Sequence, residues 1–252
     1  MNEAETSKEF PLPEGMRLRT PESDLDDFIT QVRGNLNFAQ VHAEVYPKIL
    51  YSGRTKTGEI KDVTLRDLNY QLFLFNLITV SLVSSFEDFM QTICRKVLLR
   101  RHNFFGQFNP SVSWKQIPSS GNVDIVWEEL ADQVLANLES GKLRTFAKVF
   151  KKIGVVFPSL KSKEGKALEE LIRRRNVIVH NKKKPDKKYL EIVPHPKTYT
   201  SGVLVINFDY IEEACNLLIN TSRDIVQQLV KKGTLEPSEL EEEPKQSAKS
   251  AK

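Results

Sequence analysis

Arg175, Asn176 and His180 are the residues of this chain whose types and spacing best suit chemistry. A guanidinium is charged at every working pH and clamps phosphate oxygens through paired N–H donors. An imidazole five positions on can take up or release a proton near neutral pH. Together the two suffice, in principle, to cut RNA without a metal. They sit in the run Arg175-Asn176-Val177-Ile178-Val179-His180, within a segment of helical spacing. On a helical wheel Leu168, Leu171, Ile172 and Val179 share an apolar stripe, and Arg175 falls inside it.

A guanidinium in an apolar face is costly unless it meets an anion. Three explanations are open: a phosphate site, an ion pair with Glu87 or Asp88 of an upstream helix, or a side chain that snorkels outward. Arg173, Asn176 and His180 lie on the opposite side at spacings of three and four, so they can meet one another. Asn176 is placed to orient the imidazole or add a donor. Positions five apart differ by about 140° on a regular helix, so Arg175 and His180 do not converge from one straight helix. The helix end must loosen, Arg175 must reach round, or two copies of the helix must combine at a dimer interface.

The surroundings are basic. Within a net charge of +4, cations crowd into Arg173 to Arg175 and Lys182 to Lys188. Arg173, Arg174, Lys182, Lys183 and Lys184 are the candidate RNA contacts, since phosphate backbones attract such clusters. The other histidines, His42, His102 and His195, have no Asp, Glu or Cys at ligand spacing, so no metal site is readable. No Gly-rich phosphate loop and no Ser or Cys nucleophile elbow occurs, and no cofactor is implied. Cys94 and Cys215 lie in apolar helical stretches and read as reduced, buried thiols of a cytoplasmic protein. The N-terminus lacks the apolar core of a signal peptide, and Leu72 to Val83 is too short and too interrupted for a membrane span.

The elements that must position these residues are helical. Residues 1–22 read as a flexible tail, 23–232 as one helical domain and 233–252 as a charged, disordered tail. Helices are expected at about 24–50, 64–101, 122–138, 142–153, 163–180 and 209–232. The second, with LFLFNLITVSLVSSFEDFM apolar on nearly all sides, should be the central helix of the bundle. The cations Arg95, Lys96, Arg100 and Arg101 near its end suit the helix dipole. The irregular stretch 102–120 carries Phe104, Phe105, Phe108 and Trp114, which predicts a connector packed onto the domain. Tyr189 to Val193 and Val203 to Asn207 predict a small β-hairpin, closed by KTYTSG.

The pattern Arg175-Asn176-x-x-x-His180, late in an all-α bundle, resembles the Arg-x4-6-His signature of the HEPN superfamily, where a polar residue commonly follows the Arg. LITVSLVSSFEDFMQTIC looks like the long first helix of stand-alone HEPN proteins of the RiboL-PSP type, which bears an acidic residue at about this place. YLEIV and GVLVINFDYIEEACNLLI resemble the linker and final helix of that group, so the likeness spans about residues 64–232. It implies a homodimer joined through the motif helices and a metal-independent endoribonuclease. His180 would act as general base or acid, Arg175 would stabilise the phosphate oxygens, and Asn176 would position the pair. Many such proteins are toxins, phage-defence effectors or RNA-processing enzymes, some with an antitoxin or regulatory partner. Toxins controlled by nucleotidyltransferase antitoxins carry a Tyr two positions after the His, where this chain has Lys182. The alternative is a non-catalytic HEPN-like module that binds RNA, a nucleotide or a protein.

Overall fold

The computed structural model describes residues 21–52, 65–108, 110, 123–136, 143–198 and 201–235. Thr64, Trp114 and the tails before residue 21 and after residue 235 lie outside the described residues. Seven α-helices are described: α1 (Pro21–Ser52), α2 (Leu65–Arg100), α3 (Val123–Ala136), α4 (Leu143–Lys152), α5 (Lys163–His180), α6 (Lys187–Leu190) and α7 (Phe208–Lys231). A 3-10 segment, His102–Gln107, follows α2. The all-α class and most helix limits agree with the periodicity of the sequence.

α2 is the axis of the bundle. It packs against α1, α3, α5, α7 and the 3-10 segment. Phe86, Met90, Ile93, Val97 and Leu98 are wholly or almost wholly buried, and spacings of three and four put apolar groups on more than one face. Leu72–Arg100 is long and apolar enough to cross a membrane on length and hydropathy alone, which the shorter run Leu72–Val83 had not suggested. Half of its most apolar window is buried in the bundle.

The cations near the end of α2 do more than suit a dipole. Arg95 reaches Glu128 at 3.3 Å and also pairs with Asp132, tying α2 to α3. Lys96, only 9% exposed, pairs with Asp24 at the start of α1. Together with the Asn35–Ser81 bond at 3.3 Å, that pair makes α1 antiparallel to α2. The described start of the connector, residues 102–108, packs down as its aromatics predict: Phe105 is buried, and His102 stacks on Trp127 with ring centroids 4.0 Å apart.

The expected hairpin does not form. Among the described residues there is one isolated bridge, Thr198 to Leu204, and no strand. Residues 187–190 instead make a helical turn, capped by Asp186, whose side chain accepts from the Tyr189 N–H at 2.7 Å. Alternation in a five-residue piece is a weak signal, and the burial of Tyr189 against α5 overrides it.

α5 begins on a tight approach. Ser162 caps it by accepting from Gly165 N–H at 3.1 Å, and a Cβ on Gly165 would lie 2.0 Å from the Ser159 carbonyl oxygen. Only glycine fits there, so this contact sets where the motif helix starts.

Cys94 and Cys215 are buried free thiols, and burial pushes both up to about 12. Native protein is therefore expected to resist iodoacetamide at neutral pH, with both cysteines alkylated only after denaturation; mass spectrometry of the two reactions checks this. Rapid native labelling at either position would contradict the packing of α2 against α7.

Candidate functional site

Three consecutive arginines of α5 enter three different environments, because successive residues turn about 100° around a helix. Arg173 faces a cavity between α4, α5 and α6. Arg174 points into the bundle and is 7% exposed. Arg175 leans on α2 with a side chain 19% exposed.

Arg174 corrects the expectation that it contacts RNA at the surface. Its Nε donates to Glu170 Oε1 at 2.6 Å, Nη1 to the Val205 carbonyl at 2.8 Å and Nη2 to the Tyr189 hydroxyl at 2.9 Å. The guanidinium also lies 4.2 Å from the Tyr210 ring centroid. Glu170 completes the cluster, accepting from the hydroxyls of Tyr189 at 2.5 Å and Tyr210 at 2.9 Å. Burial, with the neighbouring Glu170 charge, drives both phenols well above their ordinary range, so they stay protonated donors. The wheel assignment shifts with it: Arg174 and Val177 continue the buried stripe, while Val179 is 51% exposed.

Of the two carboxylates proposed for Arg175, the structure selects Glu87. Arg175 Nη2 donates to Glu87 Oε2, and Nη1 donates to Asn176 Oδ1 at 3.0 Å. Asp88 is exposed and lies with Asp24 and Asp27 in a shallow cleft between α1 and α2, away from this pair. Burial raises the Glu87 carboxyl above its ordinary value, and the Arg175 charge only partly offsets that rise. Arg175 Nε and Glu87 Oε1 are buried and find no partner among the described residues.

Asn176 thus holds Arg175 rather than His180. His180, the last residue of α5, is exposed, and its imidazole forms no hydrogen bond among the described residues. The helix ends beyond it in a loop whose Asn181 and Lys183 N–H groups both reach the Val177 carbonyl, at 3.0 and 3.1 Å. Lys182 and Lys183 adopt positive φ, 49° and 67°, a costly conformation for side chains other than glycine or asparagine. Lys182 and Lys184 are exposed. The Lys183 ammonium lies 5.9 Å from the Phe73 ring centroid.

The Glu87–Arg175 and Phe73–Lys183 contacts make α5 antiparallel to α2. Between or at those contacts, Phe73, Leu77 and Val179 are about half exposed. The candidate site is therefore a held arginine, a free terminal histidine and a lysine loop, bordered by apolar side chains. The two residues with the chemistry do not meet within one chain.

Glu170, Tyr189 and Tyr210 were missed by sequence reasoning. The Glu170–Arg174 spacing of four was a usable signal, but nothing local identifies the two tyrosines.

No protein-family model matches the chain, and neither a curated protein nor a solved structure matches it.

Tyr189→Phe should cost about 1–3 kcal/mol in denaturant unfolding, because it strips a buried hydroxyl from both Glu170 and Arg174. Glu87 supplies a pH signature. A carboxyl raised in the folded state contributes stability that is present at low pH and is lost as pH rises through the raised value. The melting-temperature difference between the parent and Glu87→Gln should therefore move in the parent's favour as pH falls from neutral toward the ordinary carboxylate range. A difference independent of pH would show that Glu87 is not buried as described.

Proposed function

We propose that this protein is a metal-independent endoribonuclease of HEPN type, acting as a homodimer and serving as a toxin or phage-defence effector. The observation that carries the reading is the exposed, unbonded His180 imidazole at the end of the helix on which Arg175 is held by Glu87 and Asn176. One chain holds the two groups apart. A second copy packed on the Phe73, Leu77 and Val179 surface would bring a second motif helix alongside the first and make one composite site.

In that site an imidazole takes the proton of a ribose 2′-hydroxyl, and the 2′-oxygen attacks the adjacent phosphorus. The bond from phosphorus to the 5′-oxygen breaks, and the imidazolium of the other copy returns a proton to the leaving oxygen. The products are a 2′,3′-cyclic phosphate and a 5′-hydroxyl. Arg175 stabilises the charge that builds on the phosphate oxygens, while Lys182, Lys183 and Lys184 hold the flanking strand.

A second reading is favoured by the Arg175–Glu87 pair itself: a guanidinium already engaged by a carboxylate suits a non-catalytic module that binds RNA or a protein partner.

Purified protein in EDTA is expected to cleave single-stranded RNA and leave cyclic phosphate ends. His180→Ala should lose about 10²–10⁴-fold in rate, and Arg175→Ala about 10²–10³-fold, both without loss of fold by circular dichroism. Cleavage by His180→Ala at the parent rate would sink the proposal. Salt-sensitive RNA binding with no products would select the module instead. Leu77→Glu combined with Val179→Glu should give a folded, inactive monomer by light scattering.

A further inference from the structure

A cavity of about 620 Å³ opens between α4, α5 and α6, and of its lining residues only Arg173 is among the RNA contacts expected from the sequence. Four cations line it: Arg144 of α4, Lys166 and Arg173 of α5, and Lys188 of α6. None of the four forms an ion pair with a described residue, although Glu169 and Glu191 stand in the same wall. Leu143, Leu160, Ile172 and Ile192 give the cavity an aliphatic lining, and Leu143 and Ile172 are each only 3% exposed.

That combination suits a ligand with an anionic edge and a flat, poorly hydrated body. Unpaired cations on a rim bind phosphate. An aliphatic lining takes the face of a base, and carboxylates beside it accept from exocyclic amines or ribose hydroxyls. The volume fits one nucleotide and excludes a duplex. RNA reading of this kind is done on single strands, where an unstacked base can be splayed into a pocket.

The α5 residues that line the cavity connect it to the candidate site. Lys166, Glu169 and Arg173 recur at three and four, and the same spacing continues to Asn176 and His180. They form one stripe along one helix. From Arg173 to His180 the helix rises about 10 Å, which is about three nucleotides at a stacked rise of 3.4 Å.

We propose that this cavity is a subsite for a flanking nucleotide of a single-stranded RNA, within three positions of the bond cut at His180, with its phosphate on Arg144, Arg173 and Lys188 and its base on Leu143 and Ile172. The subsite rests on the ribonuclease reading and makes it specific: the substrate is unpaired beside the cut, and the identity of that flanking base affects affinity.

The test uses the full chain carrying His180→Ala, so that binding is measured without cleavage. Fluorescence anisotropy follows a short labelled single-stranded RNA, the same RNA with an abasic site moved position by position, its duplex, and adenosine monophosphate as competitor. Arg144→Glu with Lys188→Glu changes two exposed side chains outside the motif helix, and circular dichroism confirms the fold. The double substitution should weaken single-strand binding at least tenfold and lower the salt slope by about 0.7, the value of one phosphate contact on a single strand. An abasic site at one position should weaken the parent but not the double variant, and the duplex should bind more weakly than the strand.

Equal affinity and equal salt slope in parent and double variant would overturn the subsite and leave the ribonuclease reading standing. Tight binding of adenosine monophosphate, lost in the double variant and without strand binding, would overturn it in favour of a free-nucleotide pocket. No binding of any RNA by the parent would remove both readings.

Discussion

A guanidinium buried two thirds of the way along α5 organises this molecule. Arg174 spends its donors on Glu170, the Val205 backbone and Tyr189, and lies over the ring of Tyr210. Those partners come from α5 itself, the segment after it, α6 and α7. The cluster therefore fixes the chain's return path after the motif helix. Breaking such a buried pair from one side leaves an uncompensated charge, which costs about 3–5 kcal/mol, far more than the pair gains over an apolar replacement. Its donors and acceptors are met by groups from several segments at once, which ties those segments to one another.

Once Arg174 is committed inward, the helix repeat assigns its neighbours. Arg173 must turn to the α4–α6 side and Arg175 to α2. The first finds a cationic cavity, the second a carboxylate raised by burial. The same inward commitment places His180, six residues later, at the exposed end of the helix. On the proposed function, a rigid arginine and an exposed histidine on one helix would be a divided pair of catalytic groups. A two-copy site would then join them, and the half-exposed Phe73, Leu77 and Val179 would supply the apolar area a second copy covers.

The lysine loop shows the balance between fold and function. Lys182 and Lys183 occupy a region of backbone space where glycine would rest without strain. The Lys183 backbone is nevertheless tied in, its N–H donating to the Val177 carbonyl at 3.1 Å and its oxygen accepting from Leu204 N–H at 3.0 Å. The loop is thus held in place while at least two of its ammonium groups, on Lys182 and Lys184, remain in solvent. A cationic surface held this way suits a polyanion better than a loosely attached tail does.

The local sequence by itself determined the helical elements and the candidate chemistry. Apolar groups recurring at three and four, Ser162 before α5 and Gly154 after α4 mark helix limits through interactions a few residues long. For Arg175 the sequence admits Glu87 as one of two carboxylate partners, since charge complementarity alone names candidates without choosing between them. Only the tertiary structure decided between Glu87 and Asp88, buried Arg174 rather than its neighbours, and turned an expected strand at Tyr189 into a capped helical turn. It also assembled Arg144, Lys166, Arg173 and Lys188 from three helices around one cavity. Those outcomes depend on partners from 15 to 88 positions away in the chain, and no local pattern encodes which of several suitable partners packing will bring within reach.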